Sequence, residues 1–274
     1  MPKVSIILPT YNGSKWIETA IKSVFEQIFL DWELIVIDDW STDGVDRIVL
    51  EYAQRDSRIV YVKNERNLGI QKTLNRGLNM AKGEYIARID DDDEWSDPRK
   101  LEEQIAFLDT HPDYVLVGTG AIVIDESGKE LFRFLNTETD EGIRNSILGK
   151  NCFTHCSVMF RKDAALRVGG YSEERNALHV EDYDLWLKLG GVGKMANLQT
   201  YSIMWRMRSG AISSKNRMMQ FTNGIKLVVK FRRQYPGFLK GFFRSWIRLF
   251  VYGVFRFIPI LKLKYFLFKI GKER

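Results

Sequence analysis

The first 110 residues alternate short apolar runs with segments of helical periodicity. The apolar runs, rich in β-branched and aliphatic residues, predict four buried strands: Val4–Pro9, Glu33–Ile37, Ile59–Val62 and Glu84–Ile89. Apolar residues recur at helical spacing between them, over 16–25, 41–54 and 69–81. Strands that alternate with helices in this way favour an α/β fold, with a mostly parallel, Rossmann-like sheet and helices on both faces.

The pattern changes beyond residue 110. After a helix predicted over 99–110, shorter apolar runs predict the strands Tyr114–Gly118, Ala121–Ile124, Leu131–Phe134 and Ser157–Phe160, and a helix begins near Glu181. This half has a mixed α+β pattern. We therefore expect residues 1–110 and 111–210 to form two halves of one domain, followed by a helical extension over 211–274.

Polar residues follow each of the first four predicted strands. They comprise Pro9, Thr10, Tyr11 and Asn12, then Asp38 and Asp39, then 64–67, then Asp90, Asp91, Asp92 and Asp93. The carboxyl ends of parallel strands meet at one edge of a sheet, where ligands bind. Consecutive carboxylates repel one another and stay ionised only if water, basic side chains or a divalent metal share the site. A solvated acidic loop is the alternative.

The net charge is divided unevenly along the chain. The 274 residues carry +6, but residues 231–274 hold eleven Lys or Arg against one acid, Glu273, so this tail is +10 and the rest is −4. The basic pI therefore belongs to the tail and does not indicate a nucleic-acid partner. Two cysteines and three histidines cannot supply a typical four-ligand zinc site, and we expect free thiols in a reducing compartment.

Aromatic and basic residues interleave in this tail. Its longest uncharged run, Leu249–Phe255, has seven residues, far short of the about 20 that a spanning helix needs. We expect residues 231–274 to lie on an anionic membrane surface, while a helical hairpin packed on the domain is the alternative. No secretory signal precedes the first strand, so the predicted location is cytoplasmic, peripheral at the inner face of the cell membrane.

Seven motifs give the chain its resemblance to a family. In the first half these are Val4–Gly13, Glu33–Asp39, Asn67–Gly69 and Ala87–Asp93; in the second they are His155–Phe160, Gly169–Tyr171 and Glu181–Leu189. In order and spacing they resemble the family 2 inverting nucleotide-sugar glycosyltransferases with the GT-A fold, of the bacterial surface-polysaccharide type. The resemblance covers about residues 3–210.

The resemblance implies a function for each half. The first half would bind a nucleoside-diphosphate sugar, with UDP favoured, and the second would bind the acceptor, a glycan hydroxyl that we expect to be polyprenyl-linked. Mn²⁺ or Mg²⁺ would lie at Asp90 and Asp92 and neutralise the diphosphate. Asp182 would be the general base that takes the proton of the attacking hydroxyl.

Further site residues follow from the same resemblance. Those expected to contact the donor are Pro9, Thr10, Tyr11, Asn12, Asp38, Asp39, Asn67, Gly69, Lys72, Asp90, Asp91 and Arg208. Those expected on the acceptor side are His155, Glu181, Trp186 and Arg206. Capping of the following loop is the alternative for the acids after the second strand. For Trp186 a place in the core is favoured over a sugar-binding surface, because Leu185 and Leu189 share its helix.

The chain departs from the family pattern at one point. Many members carry Tyr-Arg-x-His near the end of the domain, where the histidine reaches the metal or the diphosphate, and here Trp205-Arg206-Met207-Arg208 aligns with it. Arginine has no free lone pair with which to ligate a cation. We expect Arg208 to contact the diphosphate directly and metal dependence to be weaker than is usual.

Two other functions remain open on the sequence alone. A sugar nucleotidyltransferase is disfavoured, because such enzymes usually carry a glycine-rich loop with arginine where Pro9–Asn12 stands. A membrane-associated nucleotide- or glycan-binding protein without transferase activity is disfavoured by Asp182 together with the acidic cluster.

Overall fold

A computed structural model describes residues 1–208 and 216–255. The strands are β1 Val4–Thr10, β2 Trp32–Asp38, β3 Ile59–Lys63, β4 Tyr85–Arg88, β5 Glu94–Trp95, β6 Tyr114–Ile124, β7 Glu130–Phe134, β8 Met159–Arg161 and β9 Lys194–Arg206. The helices are α1 Ile17–Phe25, α2 Val45–Arg55, α3 Ile70–Met80, α4 Lys100–Thr110, α5 Asp140–Ser146, α6 Lys162–Arg167, α7 Glu181–Leu189, α8 Arg217–Lys230 and α9 Phe238–Phe255.

One sheet runs through both halves of the chain, in the order β3-β2-β1-β4-β8-β6-β9-β5, with β7 paired to β6. β3, β2, β1 and β4 are parallel. β8 is antiparallel to both β4 and β6, and β9 runs parallel to β6. The predicted α/β architecture, a largely parallel sheet continued by a mixed region, is confirmed.

Helices cover both faces of the sheet because alternate strand residues point to opposite sides. Ile7, Ile35 and Ile86 lie in one core with α3, α7 and α8. Ile6 and Leu34 lie in the other, with α1, α2 and α4. The strands are buried on both faces, which is why they read as continuous apolar runs.

The elements differ from the sequence-based expectation in several places, and the two-residue β5 and six-residue α6 were not predicted. The strands predicted over 114–118 and 121–124 are one strand, β6, which passes through Gly118 and Gly120 because neighbouring chain leaves no room for a side chain at either position. The pattern did not predict β9, whose register against β6 shifts repeatedly and whose burial is irregular. It also missed α5, which is only seven residues long. The domain boundaries at 110 and 210 stay predictions.

The C-terminal helices α8 and α9 form a hairpin against the second half of the domain. Leu227, Phe231 and Tyr235 lie in the core beneath it. α9 approaches the loop before β8 so closely that a Cβ on Gly241 would lie 2.6 Å from the carbonyl oxygen of Leu148. Within the described part of the chain, no helix combines the length and apolarity that a membrane crossing requires. The rest of the predicted basic tail, 256–274, lies outside the described residues.

Lys100, at the start of α4, is buried without an acidic partner among the described contacts. Its Nζ donates to Gln104 Oε1 at 2.8 Å and lies 4.1 Å from the centre of the Trp95 ring. Burial lowers the pKa of this amine to about 7. An unfolded lysine has a pKa of about 10.4, so between these values the native state holds fewer protons than the unfolded state.

We therefore predict that Lys100 makes the free energy of unfolding rise with pH between 7 and 9. The contribution is at most about 1.4 kcal/mol per pH unit, and Lys100→Met removes it. Urea unfolding at both pH values measures it, and the wild-type minus Lys100→Met difference is expected to grow with pH. Lys194→Met is the control, because that exposed lysine has a raised pKa and stays protonated. If wild type and Lys100→Met differed by the same free energy of unfolding at both pH values, Lys100 would be charged in the folded protein.

Candidate functional site

The loop after β1 is fastened to the neighbouring loops at the carboxyl edge of the sheet. The Thr10 hydroxyl donates to Asp91 Oδ2 at 2.7 Å. The backbone N–H of Asn12 donates to Ser41 Oγ, and its side-chain oxygen accepts from the Thr42 N–H, both at 2.9 Å. A Cβ on Gly13 would lie 2.1 Å from Asp91 Oδ2, so only glycine permits this approach. The first loop thus packs directly on the acidic cluster.

The two acids after β2 have different surroundings. Asp38 is fully buried, and its carboxylate accepts from the Ser41 N–H at 2.7 Å and from the Tyr61 hydroxyl at 2.7 Å, with Lys63 Nζ at 3.3 Å. Its predicted contact with the donor was wrong, because its oxygens cap the loop and are closed off from solvent.

Asp39 binds the loop that precedes α3. Its carboxylate accepts from Asn64 Nδ2 at 2.7 Å, from the Leu68 N–H at 2.8 Å and from the Gly69 N–H at 2.9 Å. Gly69 has φ 83°, which suits glycine at this turn. Asp39 thereby holds the third loop over the sheet edge, and its role toward a nucleotide stays a prediction.

Several predicted donor contacts are exposed around this edge. Tyr11 is 49% exposed at the end of β1, and Asn67 and Lys72 are exposed at the start of α3. Pro9 is buried within β1. An exposed aromatic ring beside buried polar groups is suited to stacking on a base.

Three arginines balance the four carboxylates after β4. Fully buried Arg88 pairs with Asp90. Arg206 donates its backbone N–H to Asp93 Oδ1 at 2.8 Å and its Nε to the Asp92 carbonyl at 3.1 Å. Arg208 Nε lies 2.5 Å from Asp92 Oδ2. Two of the three cations come from the C-terminal end of β9 and the residues that follow it.

Even with these arginines the cluster is short of positive charge. Burial, followed by the charge of Asp92, raises the pKa of Asp91 to about 7, and burial also raises the pKa values of Asp92 and Asp93. Burial also favours the neutral form of Asp90. The positive charges of His155 and Arg88 outweigh this effect and hold the pKa of Asp90 below its usual range.

The carboxylate oxygens fit a hard divalent cation, which would relieve the mutual repulsion. Among the described residues, no three His, Cys, Asp or Glu side chains form a metal-binding group. A cation on Asp90 and Asp92 would therefore complete its coordination with oxygens from water or a bound phosphate.

Arg206 belongs to the fold and not to an acceptor surface, so its predicted place was wrong. Its side chain is 5% exposed, its guanidinium lies 4.3 Å from the centre of the Trp16 ring, and it binds the Asp125 carbonyl and the Glu94 carboxylate. Trp186 lies in the core, as favoured from its helix neighbours, and not on the acceptor side. It is fully buried between Phe153 and Phe160, with ring centroids 6.1 and 5.9 Å away.

The predicted base lies in the first turn of α7. Asp182 is half-buried, and Asn151 Nδ2 donates to its Oδ2 at 3.1 Å. The helix is fixed by buried Asp184, which lies 3.0 Å from Lys188 Nζ and 2.9 Å from Lys230 Nζ of α8. Burial, together with the charge of Asp182, raises the pKa of neighbouring Glu181 to about 8.

Arg88 and His155 lie between the acidic cluster and α7. His155 Nδ1 is 3.5 Å from Asp90 Oδ2, and burial lowers the pKa of this imidazole. Among the described residues, four buried atoms here lack a hydrogen-bond partner: Arg88 Nε and Nη1, His155 Nε2 and Glu181 Oε2. Buried polar atoms are rarely left unpaired, so this centre is suited to a polar ligand. Sequence analysis missed Arg88, whose signal was a charge inside an apolar strand.

Comparison with known proteins identifies the class. Residues 5–169 match the model of glycosyl transferase family 2. The chain is 38% identical over 224 residues to "Putative glycosyltransferase EpsE" of Bacillus subtilis, covering 81% of this chain and 78% of that one. A second relative is the UDP-Glc:alpha-D-GlcNAc-diphosphoundecaprenol beta-1,3-glucosyltransferase WfgD of Escherichia coli. It is 34% identical over 188 residues, which cover 68% of this chain and 69% of the relative.

Solved structures confirm the fold. Staphylococcus aureus TarS 1-349 in complex with UDP-GlcNAc superposes with a TM-score of 0.72 at 21% identity, covering 96% of this chain and 77% of that one. The mannosyltransferase PcManGT of Pyrobaculum calidifontis, in complex with GDP-Man and Mn²⁺, superposes with a TM-score of 0.68 at 19% identity. The match covers 90% of this chain and 70% of that one.

The chain belongs to glycosyl transferase family 2 and has the GT-A fold. It is a glycosyltransferase that acts on a nucleotide sugar in polysaccharide biosynthesis.

The contacts of Asp39 predict a local effect. Asp39→Ala removes the acceptor of the Leu68 and Gly69 N–H groups, and we expect their amide hydrogen exchange to accelerate at least about tenfold, since an aligned hydrogen bond to a charged group contributes about 1.5–3 kcal/mol. Hydrogen exchange resolved to 64–70 measures this. Asp46→Asn, on the exposed start of α2, is the control, and unchanged exchange in Asp39→Ala would disprove the anchoring role.

Proposed function

We propose that this protein is an inverting glycosyltransferase that moves a sugar from a nucleoside diphosphate, with UDP favoured, to a hydroxyl of a lipid-linked glycan. The observation that carries the proposal is the placement of Asp182 and the acidic cluster on either side of unpartnered Arg88 and His155 atoms. A leaving diphosphate and an attacking hydroxyl need such separate partners, because inversion requires attack from the opposite face.

The donor would lie along the carboxyl edge of the parallel strands. Exposed Tyr11 would stack on the base, while Asn12 and Asp39 lie within the same loop cluster for the ribose and the base edge. The names of two similar proteins support a UDP donor, one through UDP-Glc and one through a UDP-GlcNAc complex. The unpartnered atoms of Arg88, His155 and Glu181 would bind sugar hydroxyls.

Asp90 and Asp92 would hold Mn²⁺ or Mg²⁺ beside the diphosphate. A cation there supplies neutralisation of the charge that develops on the leaving group. The oxygen-rich donor set supports this assignment, as does the Mn²⁺ in the complex of the similar mannosyltransferase.

Asp182 would remove the proton of the acceptor hydroxyl. The raised pKa of Glu181 leaves that carboxyl largely protonated at pH 7, which disfavours Glu181 as the base and supports Asp182. Asn151 orients the carboxylate by donating to one oxygen, which leaves the other available to the acceptor.

The outer face of α9 supports membrane binding. Six large apolar side chains there are 49–71% exposed: Leu239, Phe243, Trp246, Ile247, Phe250 and Val254. At 100° per residue they fall within about 100° of the helix circumference, so they form one stripe. No acid lies within 238–255, and the segment 231–274 is strongly basic. An anionic lipid surface complements both features.

The inner face of α9 connects this stripe to the base. Arg248 Nη1 donates to the Gly149 carbonyl at 3.1 Å, so this arginine contacts protein and not lipid. The same loop carries Asn151, which binds Asp182. A membrane-bound helix packed on that loop supports an acceptor presented from the membrane, as does the diphosphoundecaprenol in the name of the E. coli relative. The proposed location is therefore peripheral, at the inner face of the cell membrane.

The two neighbouring acids are predicted to differ in catalysis. Asp182→Asn is expected to lower kcat by about 10²–10⁴, because it removes the base. Glu181→Gln imitates the protonated form and is expected to retain most of kcat at pH 7. Transfer from radiolabelled UDP-sugars, with donor affinity measured in parallel, tests both. Normal transfer by Asp182→Asn would contradict the assignment.

Substitution of the α9 stripe is predicted to weaken membrane binding. Phe243→Glu with Phe250→Glu removes two side chains whose burial is each worth about 1.5–3 kcal/mol, so partition is expected to fall at least about tenfold. Flotation with vesicles of equal phosphatidylcholine and phosphatidylglycerol measures it.

The control for this prediction is Leu166→Glu, which places a charge on exposed α6. Point variants are preferable to deletion from residue 231, which would remove the core residues Phe231 and Tyr235. Equal flotation of the stripe variant and the wild type would contradict the prediction.

A further inference from the structure

Arg208 occupies a position on the acidic cluster that a metal ion would use. Its Nε lies 2.5 Å from Asp92 Oδ2, while the Asp92 side chain is 15% exposed. Asp92 is also the carboxylate assigned to the divalent cation. A guanidinium this close to Oδ2 competes with a metal ion for the Asp92 carboxylate, because the two positive charges repel each other.

Arg208 is also the most exposed of the three arginines beside the acidic cluster. Arg88 and Arg206 are fully buried or nearly so, whereas the Arg208 side chain is 29% exposed. Of these three arginines, Arg208 is therefore the most accessible to a diphosphate that enters from solvent.

The contact between Arg208 and Asp92 is also one that can be exchanged. Arg208 Nε is close to Asp92 but has no aligned hydrogen bond among the described residues. Arg88 and Arg206, by contrast, each donate an aligned hydrogen bond to the acidic segment, from Nη2 and Nε respectively. Within the described residues, Arg208 Nε and Asp92 therefore form a close ion pair without an aligned hydrogen bond.

We propose that Arg208 is the resident cation of the donor site: it occupies Asp92 in the free protein, weakens metal binding there, and contacts the donor diphosphate when the nucleotide enters. A guanidinium suits this role, because it stays charged and its paired N–H groups match two phosphate oxygens. The inference rests on the proposed function, since a diphosphate is the ligand that the arginine would meet.

Two binding measurements without acceptor test the proposal. The first follows Mn²⁺ alone by electron paramagnetic resonance, with wild type, Arg208→Ala and Arg208→His. Removing the competing charge is expected to tighten Mn²⁺ binding in both variants. The effect is expected to be largest, at least about tenfold, in Arg208→His, because imidazole is a metal ligand.

The second measurement is calorimetric titration of UDP in EDTA. Wild type is expected to bind UDP without metal, and Arg208→Ala to bind it at least about tenfold more weakly, the loss typical of a hydrogen bond to a charged group. Arg208→Lys keeps the charge but not the paired geometry and is expected to fall between them. Arg55→Ala, on the exposed face of α2, is the matched control.

The outcomes separate this inference from the function on which it rests. Equal Mn²⁺ affinity in wild type and both variants, or equal UDP affinity in EDTA for wild type and Arg208→Ala, would overturn the role of Arg208. Failure of wild type to bind UDP, GDP or dTDP, with or without Mn²⁺, would instead overturn the nucleotide-sugar donor, and the role of Arg208 with it.

Discussion

The structure depends on the balance of charge at the end of β4. Four carboxylates in sequence cannot lie together in a largely buried loop unless cations face them. Arg88 provides one from within the strand, and Arg208, just beyond β9, provides another. Arg206, the last residue of β9, adds a hydrogen bond from its backbone N–H to Asp93 and one from its Nε to the Asp92 carbonyl. The second half of the chain thus supplies groups that hold the acidic cluster at the edge of the first half.

The sequence predicted the parts of this arrangement that local patterns encode. Buried parallel strands are continuous apolar runs, so β1 to β4 and the acids that follow them were recognised. Asp38 and Asp39 were not distinguished, although adjacent side chains point in different directions and one is enclosed. The local sequence pattern could not predict the contacts of Arg206 either, because its partners Asp93 and Glu94 lie more than 100 positions away in sequence.

Trp186 and α9 also show that a local sequence pattern does not predict which neighbours cover a helix face. Helical spacing places Trp186 on a face but does not say what covers that face, and two phenylalanines do. In α9 the basic and aromatic composition predicted one membrane-facing segment, whereas the helix divides its residues by face. The apolar stripe is outside, while Arg248 and the Gly241 contact hold the inner side to the loop of Asn151. Packing therefore joins the exposed apolar stripe to the loop that binds Asp182, the proposed base.

The most direct test of the central claim is a crystal structure of the protein with a non-hydrolysable UDP-sugar and Mn²⁺. The account predicts the uracil at Tyr11, the diphosphate against Asp92 and Arg208, and the Asp182 carboxylate on the face of the anomeric carbon opposite the diphosphate. A nucleotide bound away from the carboxyl edge of β1 to β4, or Asp182 on the same face as the diphosphate, would contradict it.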